Sequence, residues 1–184
     1  MADLSAARVL ILAADGFEDA ELFDPRQALL DAGAQVTLAS IKTDPIQGVK
    51  HDSEPTRTIT PDLTLDQVDT EDYDALLLPG GVANPDKMRM EERAVEIVEE
   101  FFEDDKPVAA ICHAPWLLVE ADVVDGRRVT SWPSVRTDLE NAGANVVDEE
   151  VVVDGNLITS RKPDDIPAFS AALVKALEAE MAEA

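Results

Sequence analysis

Four short runs of apolar residues divide the first two thirds of the chain, and each is long enough for one β-strand. They are Arg8–Ala13, Gln35–Ser40, Asp74–Leu78 and Pro107–Ile111. The first, third and fourth are nearly continuous in apolar character, which is typical of strands covered on both faces of a parallel sheet. Helical segments lie between them, and this alternation predicts an α/β sandwich with a mostly parallel sheet.

The helices are placed by apolar spacing and by the glycines that end them. They are predicted from the turn at 15–19 to Ala32, over 86–103, over 134–142, and from about Asp164 to the end of the chain. A short helix is also predicted directly after Cys112. The helix over 86–103 is indicated by apolar side chains at helical spacing: Met90, Ala94, Ile97, Val98 and Phe101.

The remaining stretches are less regular. Val129–Ser131 predicts another strand, and 151–153 with 157–160 predict a hairpin around Asp154-Gly155-Asn156. From Ile41 to Tyr73 the pattern weakens, and prolines with many polar residues predict an excursion with little regular structure. A short helical turn is expected there, around Leu65–Val68. No repeat or linker interrupts the sequence, so residues 1–184 are expected to form a single domain.

Composition fits such a domain but adds an extreme charge. Of the 184 residues, 46% are apolar and only 4% aromatic, so the core must be built mainly from Val, Leu, Ile and Ala. The formal net charge is −24, from 39 acidic and 15 basic residues. This balance opposes binding to nucleic acid or to an anionic membrane, since both need a basic surface. It favours a halophilic source, where salt screens the repulsion.

Location is predicted from three absences in the sequence. No apolar run approaches the roughly 18 residues of a membrane span. The first residues lack the basic and apolar regions of a signal peptide. The single cysteine cannot form an internal disulfide, and together these features predict a cytoplasmic protein.

Three loops that could carry chemistry are expected at one edge of the sheet. They are Asp15–Asp19, Pro79–Asp86 and Cys112–Ala114, and each follows a predicted strand. In open α/β sheets the ligand crevice lies beyond the carboxyl ends of the strands. The three loops are therefore expected to converge on one site.

Cys112 stands at a predicted sharp turn from strand to helix, as a nucleophile does at an elbow. The positive end of the following helix would favour the thiolate. The backbone N–H groups of His113 and Gly81 could bind an oxyanion, and His113 is the plausible nearby base. The alternative is an inert buried cysteine beside a capping histidine.

Other polar residues are weighed against simpler roles. Glu18 could exchange a proton with the thiol, or it could be a solvated acid in the first turn of a helix. His51-Asp52 is interpreted as part of a polar loop. Gly80-Gly81 lacks the spacing of a nucleotide-binding loop, and no Cys/His cluster has metal spacing, so neither cofactor nor metal is predicted.

Several motifs resemble the PfpI intracellular protease family of the ThiJ/PfpI superfamily. They are Ala110–Trp116 at the Cys-His elbow, Asp15–Leu22 in the first loop, Leu78–Gly81 at the oxyanion loop, and the late stretches 141–144, 150–156 and 160–165. The similarity covers nearly the whole chain. It implies a flavodoxin-like three-layer sandwich, akin to class I glutamine amidotransferases and assembled as a homodimer or homohexamer.

The resemblance also implies roles for residues. Cys112 would be the nucleophile, His113 its base, and Glu18 the carboxyl partner of the thiol. In the protease subgroup an acid shortly after the double glycine completes the triad across a subunit interface. Here the matching residue is Asp86, which follows an apparent one-residue insertion and stands in place of a glutamate.

Three functions remain open from the sequence. The first is a cysteine-dependent hydrolase of the PfpI type acting on peptides. The second is a glyoxalase or deglycase, in which Cys112 adds to a methylglyoxal-type carbonyl, Glu18 moves protons and no third acid is needed. The third is a non-catalytic redox or stress protein whose Cys112 is oxidised. Glutamine hydrolysis by an amidotransferase triad is excluded, because no histidine follows His113.

Overall fold

The computed structural model describes residues 3–184. Its strands, in chain order, are β1 (Arg8–Leu12), β2 (Phe17–Glu18), β3 (Gln35–Ser40), β4 (Ile46–Lys50), β5 (Glu54–Ile59), β6 (Leu63–Thr64), β7 (Ala75–Leu78), β8 (Val108–Ile111), β9 (Arg128–Val129), β10 (Asn145–Val146), β11 (Val151–Asp154) and β12 (Leu157–Ser160). The helices are α1 (Asp19–Asp31), α2 (Ala83–Met88), α3 (Glu92–Glu103), α4 (Pro115–Glu120), α5 (Arg136–Asn141) and α6 (Ile166–Glu183).

Seven strands form the central sheet in the order β11-β12-β8-β7-β1-β3-β6. All neighbours in it are parallel except β11 and β12, which form the predicted antiparallel hairpin. This confirms the flavodoxin-like α/β fold with a mostly parallel sheet. β8, β7 and β1 are adjacent, so the loops after these three strands meet at one sheet edge, as expected.

Helices cover both faces of the sheet. In β1, Leu10 and Leu12 pack on the side of α3, α4 and α5, whereas Val9 and Ile11 pack on the side of α1 and α6. All four side chains are fully buried. A strand that is covered on both faces needs apolar residues at every position, which is why β1 lacks the alternation of a half-exposed strand.

The single helix predicted over 86–103 is instead two helices. α2 ends at Met88, and α3 begins at Glu92 after Glu91, whose backbone is extended (φ −91°, ψ 111°). Ala94, Ile97, Val98 and Phe101 are buried as predicted, but Met90 lies in the connection and is 82% exposed. Apolar spacing continued by chance through the break, so it could not reveal the turn.

The prediction of little regular structure between 41 and 73 is wrong. β4 and β5 form an antiparallel hairpin, and β2 pairs with β4 to make a separate three-stranded sheet. β5 is exposed along almost its whole length and contains Pro55, so it carries no apolar alternation. The helical turn expected around Leu65 is present as a 3-10 turn over Leu65–Gln67.

Three boundaries also shift. The strand predicted over 129–131 is β9, Arg128–Val129, which pairs with β10 in a small sheet of its own. The helix predicted over 134–142 divides into a 3-10 turn over Pro133–Val135 and α5. The last helix begins at Ile166, after a 3-10 turn over Pro163–Asp165. In residues 3–184, no helix combines the length and the apolar character that crossing a membrane requires.

Candidate active site

Cys112 follows β8 directly and has a left-handed backbone conformation, with φ at +66°. Its N–H donates to the Ser160 carbonyl at 3.0 Å, and its carbonyl accepts from the Trp132 N–H at 2.9 Å. A non-glycine residue in this region costs on the order of 1–2 kcal/mol, so the surrounding structure must hold it there. The two backbone hydrogen bonds supply that restraint, and the predicted elbow is present.

The thiol lies at the base of a pocket of about 280 Å³. Segments from five parts of the chain line it: Glu18, Glu21, His51, Asp52, Cys112, His113, Trp132 and Pro163. A wider groove of about 940 Å³ runs between α1 and α6, but neither Cys112 nor a histidine borders it. The cysteine and both histidines are therefore gathered at the smaller pocket, at the sheet edge that the sequence indicated.

The two expected oxyanion donors lie at the sulfur. Burial raises the pKa of the Cys112 thiol, and a negative charge on Glu21, whenever that carboxyl is ionised, would act in the same direction. The backbone N–H groups of Gly81 and His113 oppose this by stabilising negative charge on sulfur, which lowers the pKa. The structure thus brings Cys112, His113 and Gly81 together.

The glycine loop can approach the thiol only because it lacks side chains. A Cβ atom on Gly80 would come within 2.5 Å of Glu21 Oε1 and 2.8 Å of the Cys112 Cβ. Gly81 has a φ of +82°, and a Cβ there would collide with backbone atoms of the first loop. Both positions therefore require glycine for steric reasons.

Asn84 braces this loop, a role that the sequence did not indicate. Its side-chain oxygen accepts from the Ala14 N–H at 2.8 Å. Its amide donates to the Pro79 and Gly80 carbonyls, at 2.9 and 3.1 Å. Asn84 is 1% exposed, so these bonds tie the loop after β1 to the loop after β7 without competition from water.

The carboxyl group against the thiol belongs to Glu21, not to Glu18. Glu21 is fully buried in the first turn of α1, and its polar neighbours are the Cys112 thiol and the Gly80 backbone N–H. Neither neighbour makes a hydrogen bond of full geometry, which leaves both Glu21 oxygens without a partner in the described chain. Burial, followed by the charge of Glu18, raises the pKa of Glu21 well above its usual value. Both effects favour the neutral, protonated form of the Glu21 carboxyl.

Glu18 has a different position from the one expected. Its Oε1 accepts from the His51 N–H at 3.0 Å, and its Oε2 accepts from the Asp52 N–H at 3.4 Å. Glu18 therefore ties the hairpin turn between β4 and β5 to the start of α1, while it also lines the pocket. Both acids lie near the start of one helix, and the sequence alone offers no signal to tell them apart.

His113 contacts the thiol directly. Its Nδ1 lies 3.1 Å from Cys112 Sγ, and its Nε2 lies 3.4 Å from the Ser134 hydroxyl. The rings of Trp116 and Trp132 pack around it, with centroids at 5.1 and 5.9 Å. Burial lowers the pKa of His113, although the charge of Asp52 opposes that change. The imidazole is therefore neutral near pH 7 and can accept a proton.

Asp86 does not reach this pair within one chain. It lies on the exposed side of α2 and is absent from the pocket lining. Over residues 3–184, no carboxylate forms a hydrogen bond with His113. A triad that includes Asp86 would need a second copy of the chain, so that assignment stays a prediction.

His51 and Asp52, interpreted from sequence as a polar loop, instead border the pocket. Both have left-handed backbones, with φ at +52° and +62°. Asp52 Oδ1 accepts from the Val82 N–H at 2.8 Å, which fixes the turn to the loop after β7. Only pairing of β2 with β4 brings this turn to the site, and that pairing has no apolar pattern in the sequence.

Comparison with known proteins agrees with this arrangement. Residues 7–176 match the DJ-1/PfpI family. The chain belongs to that family. It is 47% identical to a deglycase of Pyrococcus abyssi over 171 residues, which covers 93% of this chain and 99% of that protein. It is 46% identical to general stress protein 18 of Bacillus subtilis over 163 residues, covering 88% of this chain and 92% of that protein.

A solved structure supports the same assignment. The crystal structure of Drosophila melanogaster DJ-1beta superimposes with a TM-score of 0.85 at 30% identity, covering 97% of this chain and 95% of that one. The family resemblance drawn from the sequence motifs is thereby confirmed. The matches span 92% or more of each of these three proteins.

Proposed function

We propose that this protein is a cysteine-dependent glyoxalase or deglycase that acts on methylglyoxal-type carbonyl compounds. One observation carries the proposal: a fully buried Glu21 carboxyl, whose protonated form burial favours, lies against the Cys112 thiol at a small pocket. A protonated carboxyl beside the nucleophile can give a proton to a carbonyl oxygen and then accept one from carbon. The name of the Pyrococcus abyssi relative, a deglycase, supports the same choice.

The first step is addition of the thiol to the aldehyde. The S–C bond forms while the thiol proton passes to His113, whose Nδ1 lies 3.1 Å from Sγ. The N–H groups of Gly81 and His113 stabilise the developing oxyanion, and Glu21 then protonates that oxygen. The product is a neutral hemithioacetal, with Glu21 as carboxylate and His113 as imidazolium.

Proton transfers then oxidise the carbon bonded to sulfur and reduce the neighbouring ketone carbon. Glu21 removes the proton from the carbon bonded to sulfur, and His113 protonates the ketone oxygen, which gives an enediol. Glu21 returns its proton to the former ketone carbon while the hydroxyl on the other carbon gives its proton to His113. This yields a 2-hydroxyacyl thioester, which water hydrolyses to a 2-hydroxy acid; Glu21 takes the proton of the water and His113 reprotonates the thiolate.

A deglycase reaction would join this sequence at the hemithioacetal. In an adduct between methylglyoxal and an amine, the thiol replaces the nitrogen, so that the S–C bond forms as the C–N bond breaks. The thiol proton passes to His113, and Glu21 gives its proton to the departing nitrogen, which leaves as the neutral amine; Glu21 is then a carboxylate and His113 an imidazolium, as in the free-aldehyde route. The later steps are unchanged, so one site serves the free aldehyde and its amine adduct.

The peptidase hypothesis has less support from the geometry. At roughly 30 Å³ for each molecule of liquid water, the pocket holds about nine waters, which suits a small dicarbonyl better than an extended peptide. His113 also lacks a hydrogen-bonded acid within the described chain. A peptidase would need the homo-oligomer that the family resemblance implies, with Asp86 of one copy reaching His113 of another.

The experiment compares two substrates on the same purified protein. We expect methylglyoxal to be converted to lactate, with Cys112→Ala reducing the rate to that of buffer, and no cleavage of a fluorogenic peptide. Circular dichroism would confirm that the variant is folded. Cleavage of the peptide that depends on Cys112, without lactate formation, would overturn the proposal.

A further inference from the structure

The turn between β4 and β5 is built into the pocket at a conformational cost. Two successive non-glycine residues, His51 and Asp52, have left-handed backbones, and each costs on the order of 1 kcal/mol or more. Glu18 accepts from both of their N–H groups, and Val82 donates to Asp52 Oδ1. Three hydrogen bonds hold this strained turn at the pocket wall. The turn therefore has a fixed position next to any ligand that enters the pocket.

These contacts leave part of the Asp52 carboxylate free. Oδ1 is occupied by the Val82 N–H, whereas Oδ2 makes no hydrogen bond with any part of residues 3–184. The charge of Asp52 acts on Glu21, Cys112 and His113 together, so its carboxylate lies close enough to influence each reacting group. Asp52 is exposed and lines the pocket, so its carboxylate borders the space that a substrate would occupy.

The other lining residues add no compensating cation. Glu18 contributes a second carboxylate, and no lysine or arginine of the described chain lines the pocket. Glu21 shows that this space is made for a polar ligand, because it is fully buried, borders the pocket, and has two oxygens without partners in residues 3–184. A ligand there meets hydrogen-bonding groups under a net negative field.

We infer that Asp52, supported by Glu18, makes the Cys112 pocket select against substrates that carry an anionic group next to the reacting carbon. Neutral and cationic carbonyl compounds are favoured, and 2-oxo acids such as glyoxylate are rejected. The choice of carbonyl compounds as substrates rests on the proposed function. The selection by charge applies to any reagent that reaches Cys112. Like charges near a protein surface repel more strongly than at the same distance in bulk water, because the effective dielectric constant is lower.

The test uses two alkylating reagents of similar size, one of which is neutral and the other negatively charged. Iodoacetamide is neutral and iodoacetate is an anion, and both form an S–C bond to the thiolate as iodide leaves. Cys112 is the only cysteine, so mass spectrometry of the intact chain reports one site. The ratio of the two rates would be divided by the same ratio for a neutral cysteine derivative, N-acetylcysteine amide.

Measurement at high salt distinguishes the effect of charges in the pocket from the effect of the overall charge of −24. At about 1 M salt the Debye length is roughly 3 Å, so the field of distant surface acids is screened while a close partner in the pocket is screened less. Under these conditions we expect the normalised ratio for Cys112 to favour iodoacetamide by roughly tenfold or more. A normalised ratio near one would overturn the inference.

Asp52→Asn keeps an oxygen that can accept from the Val82 N–H, but it removes the charge. We expect it to bring the normalised ratio most of the way to one. The matched control is Asp66→Asn, which removes the same charge from an exposed residue in the 3-10 turn over Leu65–Gln67, outside the pocket lining, and should leave the ratio unchanged. Equal effects from both variants would show that the overall charge is responsible and would overturn the inference. If Asp52→Asn does not fold, the wild-type ratio still decides.

The outcome is independent of catalytic turnover. Lactate formation together with a ratio near one would sustain the proposed function and overturn the charge selection. A high ratio without any turnover of methylglyoxal would do the reverse. A second readout on the wild-type protein compares glyoxal with glyoxylate as protectants of Cys112 against iodoacetamide, where only glyoxal should protect at equal concentration.

Discussion

The Glu21 carboxyl lies against the Cys112 thiol, and both groups are withdrawn from solvent at the carboxyl edge of the sheet. Burial favours the neutral form of each. Because both acids are buried and favour their protonated forms, each can give a proton to a neighbouring group when a carbonyl substrate binds. In this respect the site differs from a Cys-His-acid triad, in which a charged carboxylate is hydrogen-bonded to the histidine.

Replacing Glu21 by Gln should separate hydrogen bonding from proton transfer. The amide can still donate to a carbonyl oxygen, but it cannot accept a proton from carbon. We therefore expect kcat for methylglyoxal to fall by roughly 10²- to 10⁴-fold, with a much smaller change in KM. Iodoacetamide labelling would confirm that Cys112 remains accessible. A variant with more than a tenth of the wild-type kcat would contradict the role of Glu21.

The same substitution should change how stability depends on pH. Because the pKa of Glu21 is raised in the folded state, its neutral form contributes most below the unfolded value of about 4.5. That contribution is lost as the pH rises from there toward the pKa of the folded state. Urea unfolding from pH 4 to 8 should therefore show Glu21→Gln gaining stability relative to wild type with rising pH. A constant difference across this range would argue against a protonated Glu21.

His113 should show the opposite dependence. Burial lowers its pKa below 6.5, so the folded state resists protonation. The stability that this provides is present above pH 6.5 and is lost as the pH falls through the pKa of the folded state. The acid limb of kcat/KM should lie below pH 6.5, and Asp52→Asn should move it lower still, because the charge of Asp52 raises this pKa. An acid limb above 6.5 would conflict with the burial of the imidazole.

Gly81→Ala and Gly126→Ala form a matched pair at two left-handed glycines, with φ at +82° and +73°. Both variants should lose on the order of 1–2 kcal/mol from backbone strain. Only at Gly81 would the new Cβ collide with backbone, while nothing lies within 4 Å at Gly126. We expect Gly126→Ala to retain activity and Gly81→Ala to lose nearly all of it, as measured by lactate formation. Similar activities would show that the N–H of Gly81 is not needed.

Asn84→Ala should loosen the glycine loop without touching the substrate. It removes three buried hydrogen bonds and leaves the Ala14 N–H and the Pro79 carbonyl without partners, whereas the Gly80 carbonyl still accepts from the Glu18 N–H at 3.2 Å. Each group left unsatisfied costs roughly 1–3 kcal/mol. Thermal melts should show the loss of stability. As a positioning residue, Asn84 should affect kcat more than KM, and Asn84→Asp, which keeps the acceptor for Ala14, should recover part of the stability. A change in stability with kcat preserved would assign Asn84 a purely structural role.

The local sequence pattern was enough to predict structure in two cases. One is a residue whose contacts lie close in sequence, and the other is a strand that is covered on both faces. The runs at β1, β7 and β8 predicted buried parallel strands, and the elbow at Cys112 followed from the position of the cysteine at the end of one run. Since parallel strands expose their carboxyl ends at the same edge, the convergence of three loops followed as well. Cys112, His113 and Gly81 lie together for that reason.

Tertiary structure alone decided which acids complete the site. Glu18 and Glu21 are three residues apart at the start of α1, and only packing against the sheet edge sends Glu21 to the thiol and Glu18 to the hairpin. Asp52 reaches the pocket through a polar edge hairpin whose pairing leaves no periodic trace. Asn84 is one polar residue among many until its three partners are placed around it. Long-range contacts between polar groups have no spacing rule. The sequence therefore determined the position of the cysteine and its edge of the sheet, while the fold selected the polar groups that surround it.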